Sequence, residues 1–199
     1  MQVNELKNGT KTFHAKTRND WRKWLLKNHK KEKSIWLIIY KKESKIKSVY
    51  YPEAVEEALC FGWIDSKPNK RDNESFYQFF SKRNPKSNWS AVNKKKVEKL
   101  INAGLMTEVG LEMIELAKKT GTWTALNNVE NLTLPEDLIK ALKKEKSAFE
   151  NFEAFPRSVK RGILEWIQNA KKAETREKRI NETASLASRN IRANQYKKS

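Results

Sequence analysis

Residues 61–90 read FGWIDSKPNKRDNESFYQFFSKRNPKSNWS, and this stretch decides the fold of the first half of the chain. Residues 62–66 and 75–82 are rich in aromatic and other strand-forming residues, which predicts two β-strands. The polar residues 67–74 between them predict a turn. The stretch therefore predicts a two-stranded hairpin that carries aromatic rings and charged groups together.

The charged groups of this hairpin are candidates for ligand binding. Because side chains alternate along a strand, Trp63 and Asp65 are expected on the same side. Arg71 and Asp72 fall in the connecting turn, and Arg83 follows the second strand. Asp65 is expected to form an ion pair with Arg71 or Arg83. Such a pair would either orient an arginine toward an anionic ligand or simply stabilise the hairpin.

The residues after the hairpin have two interpretations. Trp89 either covers a pocket or anchors the core, and its helical spacing with the following apolar residues favours the core. Ser87 or Asn88 is expected to be the N-cap of the next helix. The predicted ligand-binding residues are Trp63, Asp65, Arg71, Asp72, Gln78, Arg83, Ser87, Trp89 and Asn93.

The sequence before the hairpin predicts alternating strands and helices. A short strand over 11–15 precedes a helix over 18–28, for which Thr17 and Asp20 form a capping box. The apolar run SIWLIIY at 34–40 predicts a buried strand, and 45–50 a more polar one. Pro52 fits the first turn of a helix that ends at Gly62. After Pro85, two helices are expected to end at Gly104 and Gly121.

The remainder of the chain has only helical patterns. Residues 124–134 are rich in turn-forming residues and predict a linker. Helices are expected to begin near Pro135, Ala148 and Pro156, and a basic helix covers 173–193. The prediction is an α+β fold, with a small mostly antiparallel sheet and packed helices over 1–124, followed by an all-helical domain over 135–195.

The net charge of +18 is unevenly distributed. Residues 1–50 contain 14 Lys and Arg against 4 Asp and Glu, and residues 156–199 contain 12 against 4, whereas 51–155 are balanced at 16 each. A positive field attracts nucleic acids and other anions. Most of the excess is lysine, however, which is also consistent with a role in solubility alone.

The sequence contains few signs of catalysis or of cofactor binding. His14 and His29 have no cysteine or carboxylate cluster at metal-ligand spacing, so we expect no metal and no cofactor. Glycine-rich phosphate loops and the serine-nucleophile motif are absent. The single cysteine, Cys60, has apolar neighbours that favour a buried structural residue over a nucleophile. The lack of a long apolar run and of a secretory signal predicts a cytoplasmic protein.

Several segments of the chain are similar to the YdeI/OmpD-associated family. In the first half these are YPEAVEEALCFGWID at 51–65, Phe80 with Arg83, the run SNWS at 87–90 with Asn93, and Gly104, Met106 and Gly110. In the second half they are Phe155–Pro156, Ser158, Trp166–Ile167, Ala170–Lys171, Thr175–Arg176 and Arg179–Ile180. The sequence departs from the family pattern at Lys82, where proline is usual, and at Arg157, which is inserted after a proline.

This resemblance spans residues 13–180 and implies a bacteriocin-protection or stress-tolerance protein without an established catalytic activity. We therefore expect a non-enzymatic protein that binds a small anionic ligand or a protein partner on the surface around residues 63–90. One alternative is a nucleic-acid-binding protein that uses its basic ends and stacking aromatic rings. Another is an enzyme for a small substrate, in which Asp65 and Asp72 would act as acid and base.

Overall fold

A computed structural model describes residues 5–195 of the chain. The chain divides after Thr124 into two compact units. Each unit has its own cluster of buried apolar side chains. Of the seven tryptophans, Trp166 belongs to the second unit and the other six to the first.

The first unit is built on a five-stranded sheet within the described residues. The strands are β1 (Leu6–Lys7), β2 (Thr10–His14), β3 (Ser34–Tyr40), β4 (Trp63–Lys70) and β5 (Ser75–Lys82), in the spatial order β1-β2-β3-β5-β4. The pair β2–β3 is parallel, and the other three pairs are antiparallel. The predicted mostly antiparallel sheet is therefore confirmed. The β4–β5 hairpin lies at one edge of this sheet.

Between residues 5 and 124 the first unit also has four helices: α1 (Arg18–Asn28), α2 (Tyr51–Cys60), α3 (Ala91–Asn102) and α4 (Glu108–Lys119). The predicted capping box is present, because Thr17 Oγ1 accepts from the backbone N–H of Asp20 and the Asp20 carboxylate accepts from the N–H of Thr17. Helix α1 connects the two parallel strands, which need such a crossover. Its indole rings Trp21 and Trp24 stack at 5.2 Å and are buried in the core.

Helices α2 and α4 meet where Gly110 packs against the last turn of α2. A Cβ atom at Gly110 would lie 2.3 Å from the carbonyl oxygen of Cys60. This carbonyl also accepts the hydroxyl proton of Thr107, the N-cap of α4, at 2.6 Å. The thiol of Cys60 is fully buried, as the sequence predicted. Gly62 then ends α2 with a φ of 69°, a backbone conformation that favours glycine.

Two predicted local structures differ from the observed fold. Residues 45–50 form no strand, since β2 and β5 already occupy both edges of β3. The segment is held instead by single contacts, among them the Val49 N–H to the Ala15 carbonyl at 2.9 Å. Strand β4 continues to Lys70, past the predicted end at residue 66, with an irregular register between Asp65 and Pro68.

The second unit is helical throughout its described residues. Its helices are α5 (Asn127–Glu130), α6 (Glu136–Lys144), α7 (Ala148–Ala154), α8 (Arg157–Gln168) and α9 (Ala173–Ser188). The short helix α5 lies inside the turn-rich segment 124–134, and Leu126 and Val129 belong to the core of this unit. The predicted helical C-terminal part is confirmed. No helix within residues 5–195 combines the length and the apolar character that crossing a membrane requires.

Candidate functional site

The β4–β5 hairpin separates the predicted ligand-binding residues into two groups. Arg71 and Asp72 lie at the turn, whereas Trp63 and Arg83 lie at the opposite end. Along the strands, Trp63 is paired with Lys82 and Asp65 with Phe80. The turn residues are therefore remote from Arg83 along the hairpin. The predicted residues therefore do not form a single cluster on the hairpin.

The turn group is fully engaged in local interactions. The carboxylate of Asp72 accepts from the backbone N–H groups of Glu74 and Ser75 and from the Ser75 hydroxyl, at 2.7–2.8 Å. The Ser75 hydroxyl is the main cause that lowers the pKa of Asp72 below its ordinary value. Arg71 donates to the Tyr40 hydroxyl and pairs with Asp72 and Glu5. Asp72 therefore stabilises the turn from within, and Arg71 connects it to Tyr40 on β3 and to Glu5.

Arg83 has an unusual environment for a cation. Only 4% of the residue is exposed, and its guanidinium lies over the ring of Trp89 at 3.8 Å from the centroid. Its Nη2 donates to the backbone carbonyl of Asn88, but its buried Nε has no hydrogen-bond partner. No carboxylate among the described residues lies within ion-pair distance of it. Burial lowers the pKa of Arg83 to about 10, so it remains charged at neutral pH.

The expected ion pair between Asp65 and an arginine is not formed. Asp65 instead accepts the phenolic proton of Tyr51, in the first turn of α2, at 2.6 Å. Burial and this hydrogen bond both raise the pKa of Tyr51 above its ordinary value. Asp65 acts on Arg83 only through its charge, which opposes the effect of burial on the Arg83 pKa. In the register of the hairpin, Asp65 lies opposite Phe80, which precedes Arg83 by three residues. The Asp65 carboxylate is therefore displaced from the Arg83 guanidinium along the strands.

Trp63 is a core residue, because it is 1% exposed and its ring meets that of Trp24 edge-on at 5.8 Å. Its indole Nε1 is nevertheless buried without a hydrogen-bond partner. Trp89 is also buried, as the core interpretation predicted, and its ring packs against that of Trp123 at 5.1 Å. The end of the hairpin therefore has two buried donors, on Trp63 and Arg83, that no described protein group satisfies.

The three remaining candidates make structural contacts. Gln78 is buried and its side-chain amide donates to the Ser66 carbonyl where the register of β4 is irregular. Ser87 donates its hydroxyl proton to the Asn84 carbonyl in a turn. The N-cap of α3 is Ser90, not Ser87 or Asn88, and it accepts from the backbone N–H of Asn93 at 3.3 Å. The backbone N–H of Trp89, one residue before this N-cap, donates to the Thr122 carbonyl at 3.2 Å.

The sequence prediction missed a buried carboxylate on α2. Glu57 is 2% exposed and pairs with Arg18 at 2.6 Å and with Arg22 at 2.7 Å. The two arginines are four residues apart on α1, a spacing that puts them on one helix face and could have revealed the cluster. Tyr51 begins the family-like segment 51–65, but its sequence context did not indicate that it binds Asp65. Among residues 5–195, no three His, Cys, Asp or Glu side chains are arranged to hold a metal ion.

Comparison with protein-family models adds two matches, in separate parts of the chain. Residues 13–113, more than half of the chain, match a family described as a domain of unknown function, DUF8412. Residues 131–190 match the family described as bacteriocin-protection, YdeI or OmpD-associated, which confirms the resemblance. No curated protein and no solved structure matches the chain. The chain thus belongs to the DUF8412 family and carries a bacteriocin-protection, YdeI or OmpD-associated domain in its C-terminal part.

Proposed function

We propose that this protein is a non-enzymatic cytoplasmic protein of the bacteriocin-protection or stress-tolerance type, and that it binds a small anionic ligand at Arg83. The family match over residues 131–190 supports the general type of function. The buried guanidinium of Arg83 is the observation that supports the ligand site, because its Nε has no hydrogen-bond partner and no carboxylate within residues 5–195 lies at ion-pair distance.

The energetic cost of burying the Arg83 guanidinium with an unsatisfied Nε is the reason to expect a ligand. Burying a charged group costs several kcal/mol, and a buried donor without a partner costs about 1–3 kcal/mol more. The stacking on Trp89 contributes about 2 kcal/mol and the bond to the Asn88 carbonyl about 1.5–3 kcal/mol. A carboxylate or phosphate that accepts from Nε would satisfy the remaining donor, and the planar guanidinium suits such groups. Since Arg83 is 4% exposed, the ligand must be small and side chains must move to admit it.

Asp65 limits which anions fit beside Arg83. Its negative charge disfavours a ligand that is purely anionic. A carboxylate has about four acceptor positions, so Asp65 can accept from a ligand as well as from Tyr51. The ligand that fits best therefore has an anionic group for Arg83 and a hydroxyl or amino donor for Asp65.

A thermal-shift screen of small metabolites tests this proposal. A hydroxy acid or amino acid that binds should raise the thermal midpoint, by an amount that grows with its concentration. Arg83→Met keeps most of the aliphatic volume and removes the charge, so it should abolish this rise. Arg71→Met is the matched control at the other end of the hairpin and should preserve it.

Two results would contradict the proposal. If Arg83→Met lowers the midpoint but leaves the ligand-induced rise unchanged, Arg83 has a structural role only. If the ligand that stabilises the protein is converted to a product, the protein is an enzyme. Recovery of the ligand in unchanged form, measured by mass spectrometry, would support a binding function.

Nucleic-acid binding is the alternative that one contact favours. Lys7 lies 4.2 Å from the ring centroid of Tyr77 and 5.4 Å from that of Trp36, so a cation and aromatic rings share one face of the sheet. A gel shift with single-stranded oligonucleotides, repeated at low and moderate salt, tests it. Binding through phosphate contacts should weaken steeply with salt. No shift at low salt would exclude this alternative.

A further inference from the structure

Helices α3 and α4 border an open groove that the proposed ligand site does not use. Its volume is about 400 Å³, which lies in the range of small-molecule sites. Val97 and Ile114 form its floor and are almost completely buried. Ile101, which is 44% exposed, and the half-buried ring of Trp123 form its walls. The groove is therefore an apolar cleft with exposed aliphatic and aromatic surface.

The rim of the groove is mainly positive. Lys94, Lys95 and Lys118 line it, and Glu98 is the only acidic residue among those described there. Lys94 is held over Trp123, because its Nζ donates to the Trp123 carbonyl at 3.1 Å. Lys95 is exposed on α3. Lys118 forms an ion pair with Glu115 at 2.7 Å, so Lys95 supplies the main ammonium group next to the apolar walls. The rim therefore complements a ligand with one anionic head group and an apolar tail.

We propose that this groove binds a small aliphatic carboxylate. The tail would lie on Ile101 and Trp123 above the buried floor, and its burial would supply most of the affinity. The carboxylate would lie at the lysine rim, with Lys95 as its main partner. An acyl chain fits better than a compact polar metabolite, because the polar groups described here lie on the rim and not on the floor.

Calorimetric titration with octanoate below its aggregation concentration tests the ligand class. Binding is expected, and hexanoate should bind about ten-fold more weakly because two buried methylene groups are lost. Octan-1-ol should bind more weakly than octanoate, since it lacks the charge that the lysines attract. Absence of octanoate binding would overturn the proposal. Equal affinity for octan-1-ol would also overturn it.

Matched variants on α3 test the location. Ile101→Ser should weaken octanoate binding about ten-fold, whereas Val92→Ser, at an exposed position outside the groove, should not change it. Lys95→Glu should weaken binding about five-fold, and the exposed Lys99→Glu should have a smaller effect.

Circular dichroism would show whether each variant is folded. If Ile101→Ser fails to fold, the location is tested by comparing the octanoate affinities of Lys95→Glu and Lys99→Glu, which change exposed residues. Equal losses in the two glutamate variants would indicate non-specific attraction to a basic protein and would overturn the assignment. Unchanged binding in both groove variants would overturn it as well. Either result leaves the Arg83 site untouched, because Arg83 does not line the groove.

Discussion

Two helical glycines differ in the space that surrounds their Cα atoms. Gly110→Ala would place a methyl group 2.3 Å from the Cys60 carbonyl oxygen, so the backbones of α2 and α4 must separate. We expect a loss of about 2–3 kcal/mol in the free energy of unfolding. Gly162→Ala in α8 meets nothing within 4 Å and should stabilise the protein by about 0.5–1 kcal/mol. Urea denaturation measures both, and a stable Gly110→Ala variant would contradict the close packing.

The thiol of Cys60 should be unreactive in the folded protein. It is fully buried, and burial raises its pKa to about 11, with the charge of Glu57 acting in the same direction. Since the thiolate is the reactive form, a disulfide reagent at pH 8 should modify Cys60 slowly. The same reagent should react at once in denaturant, which serves as the control. Rapid modification of the folded protein would show that the end of α2 opens readily.

At the residue level, the sequence predicted which element carries a side chain better than it predicted which residue that side chain contacts. Arg83 was singled out by its aromatic neighbourhood, but nothing in the sequence indicated that it stacks on Trp89 without a carboxylate. Asp65 was correctly placed on a strand, but the expected arginine partner was wrong, because Asp65 binds Tyr51, fourteen residues away on a helix. Such contacts depend on how α2 packs on the sheet, and local patterns contain no information about that packing.

At the level of elements, the N-cap of α3 gives a direct test of the corrected helix start. Ser90→Ala removes the side-chain acceptor for the Asn93 N–H and should cost about 1 kcal/mol of stability. Ser87→Ala removes a turn contact outside the helix and should cost less than about 0.5 kcal/mol. Equal losses in chemical denaturation would contradict this assignment.

Helices α6 and α9 are connected by an ion pair whose strength should depend on pH. Arg176 donates to both carboxylate oxygens of Asp137, at 2.7 and 3.0 Å, and this contact lowers the Asp137 pKa. A lowered pKa means that the stabilisation is present above the ordinary aspartate pKa and is lost as pH falls through the lowered value. The effect should be small, about 0.5 kcal/mol, because both side chains are partly exposed.

The Asp137→Asn variant provides the comparison for this pair. Wild type should be more stable than the variant at pH 7, and the difference should disappear in acid. Denaturation curves at several pH values measure it, and an NMR titration of Asp137 gives the pKa directly. A difference that is constant over the whole pH range would contradict the electrostatic origin.

Elements were predictable where the signal was local. The capping box of α1, the apolar run of β3 and the proline-initiated helices depend on a few adjacent residues. The wrong predictions concern segments whose structure depends on contacts with other parts of the chain. Residues 45–50 have strand-forming character but no free strand edge beside β3, and the hydroxyl of Ser87, the expected N-cap, is used in a turn contact with the Asn84 carbonyl.

For the whole molecule, the net charge of +18 should oppose the compact state. Like charges repel more strongly in the folded protein, because it is smaller than the unfolded chain. Raising sodium chloride from about 10 mM to about 150 mM reduces the Debye length from about 30 to 8 Å and should raise the thermal midpoint. Sodium fluoride at equal ionic strength is the control for ion-specific effects. A midpoint that falls with added salt would indicate that attractive pairs dominate.

The class of the fold was predictable because strand patterns stop near residue 82 and helical patterns continue to the end. The order and the direction of the strands in the sheet were not predictable. The parallel pairing of β2 with β3 and the position of β5 between β3 and β4 depend on which edges meet during folding, and hydrophobic periodicity does not encode this.

The distribution of the indole rings has a practical consequence for spectroscopy. Trp21, Trp24 and Trp63 form a continuous series of ring contacts, and Trp89 and Trp123 form a second pair. Six of the seven indoles belong to the first unit and Trp166 to the second, so ultraviolet emission reports mainly on the first unit, while the amide signal of the far ultraviolet comes from helices in both units. Recording both signals in one melt would therefore resolve the two halves of the protein without any label.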